Sequence, residues 1–140
     1  MKQKKFLLTG LLTFAIASQT FAGSKIQIIH NAADPAAAVV DVYLGPALII
    51  DDFAFRTATA FLVVSIAPST STSVLDAIAD FTYTLDDGEI YVAVANGVLN
   101  PATFAANPDG EATAFNILVT SGLSLTAGDP GNVDFVVLHG

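Results

Sequence analysis

Short stretches of alternating apolar and polar residues recur along most of the chain, separated by turns that contain glycine or proline. Residues 39–44 (VVDVYL) put Asp41 and Tyr43 on one side and Val40 and Val42 on the other. Residues 81–85 (FTYTL) set Phe81, Tyr83 and Leu85 opposite two threonines, and residues 89–95 (EIYVAVA) group Ile90, Val92 and Val94. Period-two alternation in β-branched and aromatic residues marks a half-buried strand. The more uniformly apolar runs at 25–30 (KIQIIH), 47–50 (ALII), 57–66 (TATAFLVVSI), 113–120 (TAFNILVT) and 133–139 (VDFVVLH) read as further strands. Gly45-Pro46, Asp86-Asp87-Gly88, Asn96-Gly97 and Pro108-Asp109-Gly110 are turn sequences, and the six prolines all fall outside strand cores. Residues 73–80 (SVLDAIAD) alone show helical spacing, enough for a bend or a short helix.

Seven or so short strands with turns about every ten residues predict an all-β chain: an antiparallel, immunoglobulin-like β-sandwich. A small barrel or jelly roll is the alternative. An α/β fold would need helices between the strands, and the pattern holds none.

The first 22 residues break the strand pattern. Lys2, Lys4 and Lys5 precede an apolar run over residues 6–17, and Ser18-Gln19-Thr20-Phe21-Ala22 supplies small residues at a cut site. These are the parts of a secretory signal peptide, and the run is shorter than the about 20 residues that span a bilayer. The expectation is a bacterial signal peptide at 1–22, cleaved after Ala22, with no membrane insertion afterwards. The destination is then the cell surface or the medium, with the periplasm as an alternative. Residues 23–132 would form the sandwich module. Residues 133–140 would be its last strand or the first strand of a second, truncated module.

Composition narrows the function classes. The whole chain of 140 residues has 5 Lys+Arg, 13 Asp+Glu, no Cys and no Trp. Residues 23–140 keep only Lys25 and Arg56 against all 13 acids, a net charge of −11. Without Cys there is no disulfide framework, thiol nucleophile or acylated lipoprotein anchor. Without a basic patch there is no means of neutralising phosphates, so nucleic acid is excluded as a partner. With 53% hydrophobic residues, the chain has ample apolar surface to bury, which argues against disorder.

The end of the chain echoes its beginning. Setting His139 on His30 pairs Leu138 with Ile29, Val137 with Ile28 and Phe135 with Ile26, a domain-length offset. His30-Asn31-Ala32-Ala33-Asp34-Pro35, Val40-Asp41-Val42-Tyr43 and Tyr91-Val92-Ala93-Val94-Ala95-Asn96-Gly97 resemble the secreted bacterial modules filed as domain of unknown function 4397. Residues 104–110 and 133–140 are similar to it as well. The resemblance spans nearly all of residues 23–140. It implies a β-sandwich module used in tandem, with the closing His-Gly opening the next copy, and carries over no catalytic residues. The chain departs from the family after Ala60-Phe61-Leu62, where members show a Pro/Gly turn and an extra strand.

Three sets of residues are candidates for chemistry. His30, Asp34 and Asp41 flank one turn and would serve as an acid/base or ligand set if they met in space. Asp34 before Pro35 equally reads as a turn former, and His30 as a residue bonded to backbone. Asn107, Asp109 and Glu111 offer oxygen ligands within one loop, as Ca²⁺ prefers, though without the EF-hand spacing. The acidic turns Asp51-Asp52 and Asp86-Asp87-Gly88-Glu89 are of the same kind. The Phe-rich aromatic set reads as core rather than as a sugar-binding platform. Apart from Ca²⁺, no cofactor is implied.

These features point first to a non-catalytic extracytoplasmic module for cell-surface structure, adhesion or protein–protein contact. Its partner would be an envelope or extracellular protein or glycan, or sister modules in a longer chain. The alternatives are a Ca²⁺-dependent or small-ligand and glycan-binding domain and, last, a hydrolase using His30, Asp34 and Asp41.

Overall fold

A computed structural model of the chain describes residues 23–64 and 77–138. The expected signal peptide, half of the helix-like stretch at 73–80, most of the segment after Leu62 and the His139 of the expected repeat lie outside the described residues. Within them are seven strands: β1 (Ser24–His30), β2 (Val39–Leu44), β3 (Ala47–Ala54), β4 (Thr57–Ala58), β5 (Leu62–Val64), β6 (Ile90–Asn96) and β7 (Asn116–Thr120). The described residues are all-β in character, with helix among them confined to two 3₁₀ turns, η1 (Pro35–Ala37) and η2 (Pro101–Thr103). Among the described residues no helix is long and apolar enough to cross a membrane.

β1 lies at the centre of the larger sheet. β4 and β5 both pair antiparallel with one edge of β1, at its C-terminal and N-terminal ends. Between them the chain leaves the ladder, and Thr59 holds the gap. Its N–H donates to Ile28 C=O, its Oγ1 accepts from Ile28 N–H, and its C=O accepts from the Gln27 side chain. β6 pairs with the other edge of β1 over six residues, Lys25 with Ile90 through His30 with Ala95, and β7 follows beyond it.

The β1–β6 pair is parallel, which corrects the expectation of a purely antiparallel sheet. That expectation assumed that residues 81–85 would form a strand. Among the described residues they have no strand partner, and β6 lies beside β1 in the same direction. The geometry of β7 supplies the reason. Asn31 N–H bonds Ala95 C=O on β1's side, so Ala95 faces β1, and its partner Ile117 turns its own N–H and C=O away from β6. Both outward groups are already engaged: Ile117 N–H by the Asn116 side chain, Ile117 C=O by the Tyr83 hydroxyl. Residues 81–85 therefore contact this edge through side chains instead of extending the sheet, with the Phe81 ring 5.8 Å from that of Phe115.

β2 and β3 form a separate two-stranded hairpin. Two register shifts interrupt it, between the Val40–Phe53 and Val42–Ile50 pairs and between Val42 and Tyr43. At the first, Asp41 stands against both Asp51 and Asp52, and Asp52 takes φ +51°. An extra residue in one strand kinks and twists a hairpin in this way. Its base is tied to the main sheet by Phe55 N–H to Ala38 C=O and Arg56 N–H to His30 C=O.

The buried apolar residues are few: Ala32, Ala37, Phe53, Val64, Tyr91 and Ala93. Of the aromatics expected in the core, Phe53 and Tyr91 are buried, whereas Phe81, Tyr83, Phe104 and Phe135 are exposed. The largest fully buried side chain is His30. The expected closing strand at 133–139 is unpaired over its described part, and it is the most exposed apolar run among the described residues. Gly97 marks the tightest backbone approach: at φ +85° a Cβ there would lie 2.4 Å from Ala114 O, across the isolated bridge from Val98 to Ala114.

Candidate functional site

His30 ends β1 where the chain must turn into η1, and its ring fills the angle between the sheet and the hairpin. It is 0% exposed, with its centroid 5.8 Å from that of Phe53 and 6.0 Å from that of Phe55. Ala32 N–H donates to Nδ1 at 3.4 Å, and Nε2 donates to Ala37 C=O at 2.7 Å. A carbonyl only accepts and an amide N–H only donates, so this pair of bonds fits the neutral imidazole protonated at Nε2. The lone pair that a general base would need is thus directed at backbone.

Asp34 is occupied in a similar way. One carboxylate oxygen accepts from Ala36 N–H at 2.9 Å, capping η1 ahead of Pro35. The other accepts from Leu99 N–H at 2.8 Å, which fastens the loop after β6 to the turn after β1. Asp34 is nearly buried, and among the described residues no buried side-chain N or O atom lacks a partner.

Asp41 does not join them. Its Oδ1 accepts from Asp52 N–H at 3.0 Å on the exposed side of the hairpin. There the oxygens of Asp41, Asp51 and Asp52 come within 4.8 Å of one another. Asp51 sits above the usual carboxylate range, pushed up chiefly by the charge of Asp52 and then by that of Asp41. Such an all-oxygen group has the chemistry of a hard-cation site. Sequence spacing assigned Asp41 to His30 and Asp34. The bulge that places it opposite Asp51 and Asp52 is a tertiary feature, signalled in the sequence only by an acidic pair inside an apolar strand.

Asn107 and Glu111 line a shallow, open cleft of about 540 Å³ with Pro101, Phe104 and Thr113. The Asn107 side chain accepts from Asp109 N–H at 3.0 Å, and Gly110 N–H donates to Asn107 C=O at 3.0 Å, so Asn107 shapes the turn.

Comparison with known protein families, curated proteins and solved structures returns no match. The chemistry therefore has to be read from the geometry. Two of the three residues first considered for acid/base work hold backbone in place. What the molecule presents outward is an apolar segment at 133–138, an apolar hairpin end with Tyr43, Leu44 and Leu48 exposed, and an acidic trio between that end and the sheet.

Proposed function

We propose that the chain is a non-catalytic, extracytoplasmic β module that acts by contact, in cell-surface structure, adhesion or protein–protein binding. The observation that carries this reading is the outward apolar run at 133–138, five large hydrophobic side chains in six residues. A soluble protein rarely exposes so continuous an apolar stretch unless something docks on it. The engagement of His30 and Asp34 with backbone supports the same reading. So do the charge-poor, acidic composition, the signal-like N-terminus and the resemblance to secreted tandem modules.

The test uses residues 23–140 and the double variant Phe135→Asp/Val137→Asp, each incubated with isolated bacterial cell envelopes and with buffer alone. The expected result is envelope-dependent retention of the wild type and its loss in the variant. Equal retention of both proteins would overturn the reading. So would retention abolished by EDTA, which would point to the Ca²⁺-dependent alternative, or turnover of ester, peptide or glycoside substrates.

A further inference from the structure

We infer that residues 133–138 are an intermolecular strand: the segment of one copy adds to the β2–β3 hairpin of a second copy, beside Ala47, Leu48, Ile49 and Ile50, and the second copy returns the same contact. This rests on the contact-module reading and names one partner within it.

The segment is apolar and, among the described residues, has no strand partner. Phe135 is 85% exposed and Val137 87%, and Val133, Val136 and Leu138 also face solvent. A strand in this state lacks both a ladder for its backbone and a surface for its side chains, and a sheet edge supplies the two together.

The edges available in the molecule are not equivalent. That of β7 is blunted at Ile117 by Asn116 and Tyr83. On the opposite side the edge is split into β4 and β5, of two and three residues. Among the described residues the hairpin has no third strand, and β3 is the longest strand at eight residues. Ala47, Leu48, Ile49 and Ile50 carry no charge, and neither do Phe135, Val136, Val137 and Leu138. Two-stranded sheets are marginal in water, so a third strand supplies what the hairpin lacks.

Charge restricts where a second copy can meet the first. Two chains of net charge −11 over residues 23–140 repel, and their least repulsive meeting is through uncharged segments. The one acid in the segment, Asp134, already accepts Gly128 N–H at 3.0 Å. The area is sufficient. Five such side chains remove on the order of 400 Å² from water per copy. Two segments and the surfaces they cover then reach about 1,600 Å², the usual size of a specific interface. Reciprocal exchange closes into a two-fold dimer with no free ends.

Sedimentation velocity of residues 23–140 over a wide concentration range tests this. The expected result is a monomer–dimer equilibrium, weakened at least tenfold by Phe135→Asp/Val137→Asp and equally by Leu48→Asp, with unchanged circular dichroism in the tail variant. A wild type that stays monomeric throughout would overturn the inference, as would a dimer that survives in either variant. A monomeric wild type that still binds envelopes through the tail would overturn this inference alone, whereas loss of both behaviours would overturn the contact reading itself.

Discussion

β1 and residues 133–138 are built alike, and the structure treats them oppositely. Both are rich in large hydrophobic residues, with three isoleucines among the seven residues of β1 and five such side chains among residues 133–138. β1 lies between β6 on one side and β4 and β5 on the other, with Thr59 bridging the gap in its ladder. Residues 133–138 have no strand partner among the described residues and are largely exposed. The difference is not in strand propensity. β1 leads into Asn31-Ala32-Ala33-Asp34, where His30 and Asp34 fix the turn and the next loop. The later run emerges from a loop held by short local bonds, Asn132 N–H to Asp129 C=O and Gly128 N–H to Asp134. An apolar pattern gives a segment the capacity to be a strand, and an accessible partner decides whether it becomes one.

The largest effect is expected at the well-partnered end. His30→Ala removes a fully buried ring from between Phe53 and Phe55 and orphans Ala37 C=O and Ala32 N–H. Urea unfolding should show a loss of about 3–4 kcal/mol, from the cavity and the unpaired groups together. Asp34→Ala deletes the η1 cap and the bond to Leu99 N–H, for a loss of about 2 kcal/mol, and Asp34→Asn should retain part of it. If either change were silent, the turn after β1 would not be what separates the two runs.

At the other end, Phe135→Asp/Val137→Asp should leave the unfolding free energy of the monomer within about 0.5 kcal/mol of wild type, because these side chains pack on nothing. A loss as large as that at Asp34 would mean that the run is already docked on its own sheet.

The smallest effect lies between the two regions, at the acidic trio. The raised Asp51 carboxyl means that its ionised form is disfavoured in the folded hairpin, first by Asp52 and then by Asp41. The destabilisation is present when Asp51 is charged and is relieved as pH falls through its titration. Asp51→Asn should therefore raise the thermal midpoint slightly at neutral pH and low salt. The gain should fade on acidification and in high salt, as the group is fully exposed.

Much of the fold was legible in the sequence for a local reason. β1, β2, β3, β6 and β7 fall on their predicted apolar runs, and the turns at Gly45-Pro46 and Asn96-Gly97 follow turn chemistry. Asp34 acts as the Asp-Pro pair foretells, accepting backbone N–H groups on both sides. The misread features depend on what lies across space. The β1–β6 pairing is parallel, a matter of topology, and the absence of residues 81–85 from the edge of β7 goes with a hydroxyl and an amide capping Ile117. The joining of Asp41 to Asp51 and Asp52 depends on a bulge. The fate of residues 133–138 depends on what the rest of the molecule offers them across space, which no pattern within VDFVVL records.

Amide hydrogen exchange, followed residue by residue at low and at high protein concentration, tests the contrast most directly. The account predicts slow exchange along β1 at both concentrations. It predicts fast exchange over residues 133–138 in the dilute protein, slowing as copies associate. Protection of residues 133–138 at the lowest concentration would show that the run already has a partner within its own chain, and would contradict the account. So would fast exchange that persists unchanged at the highest concentration.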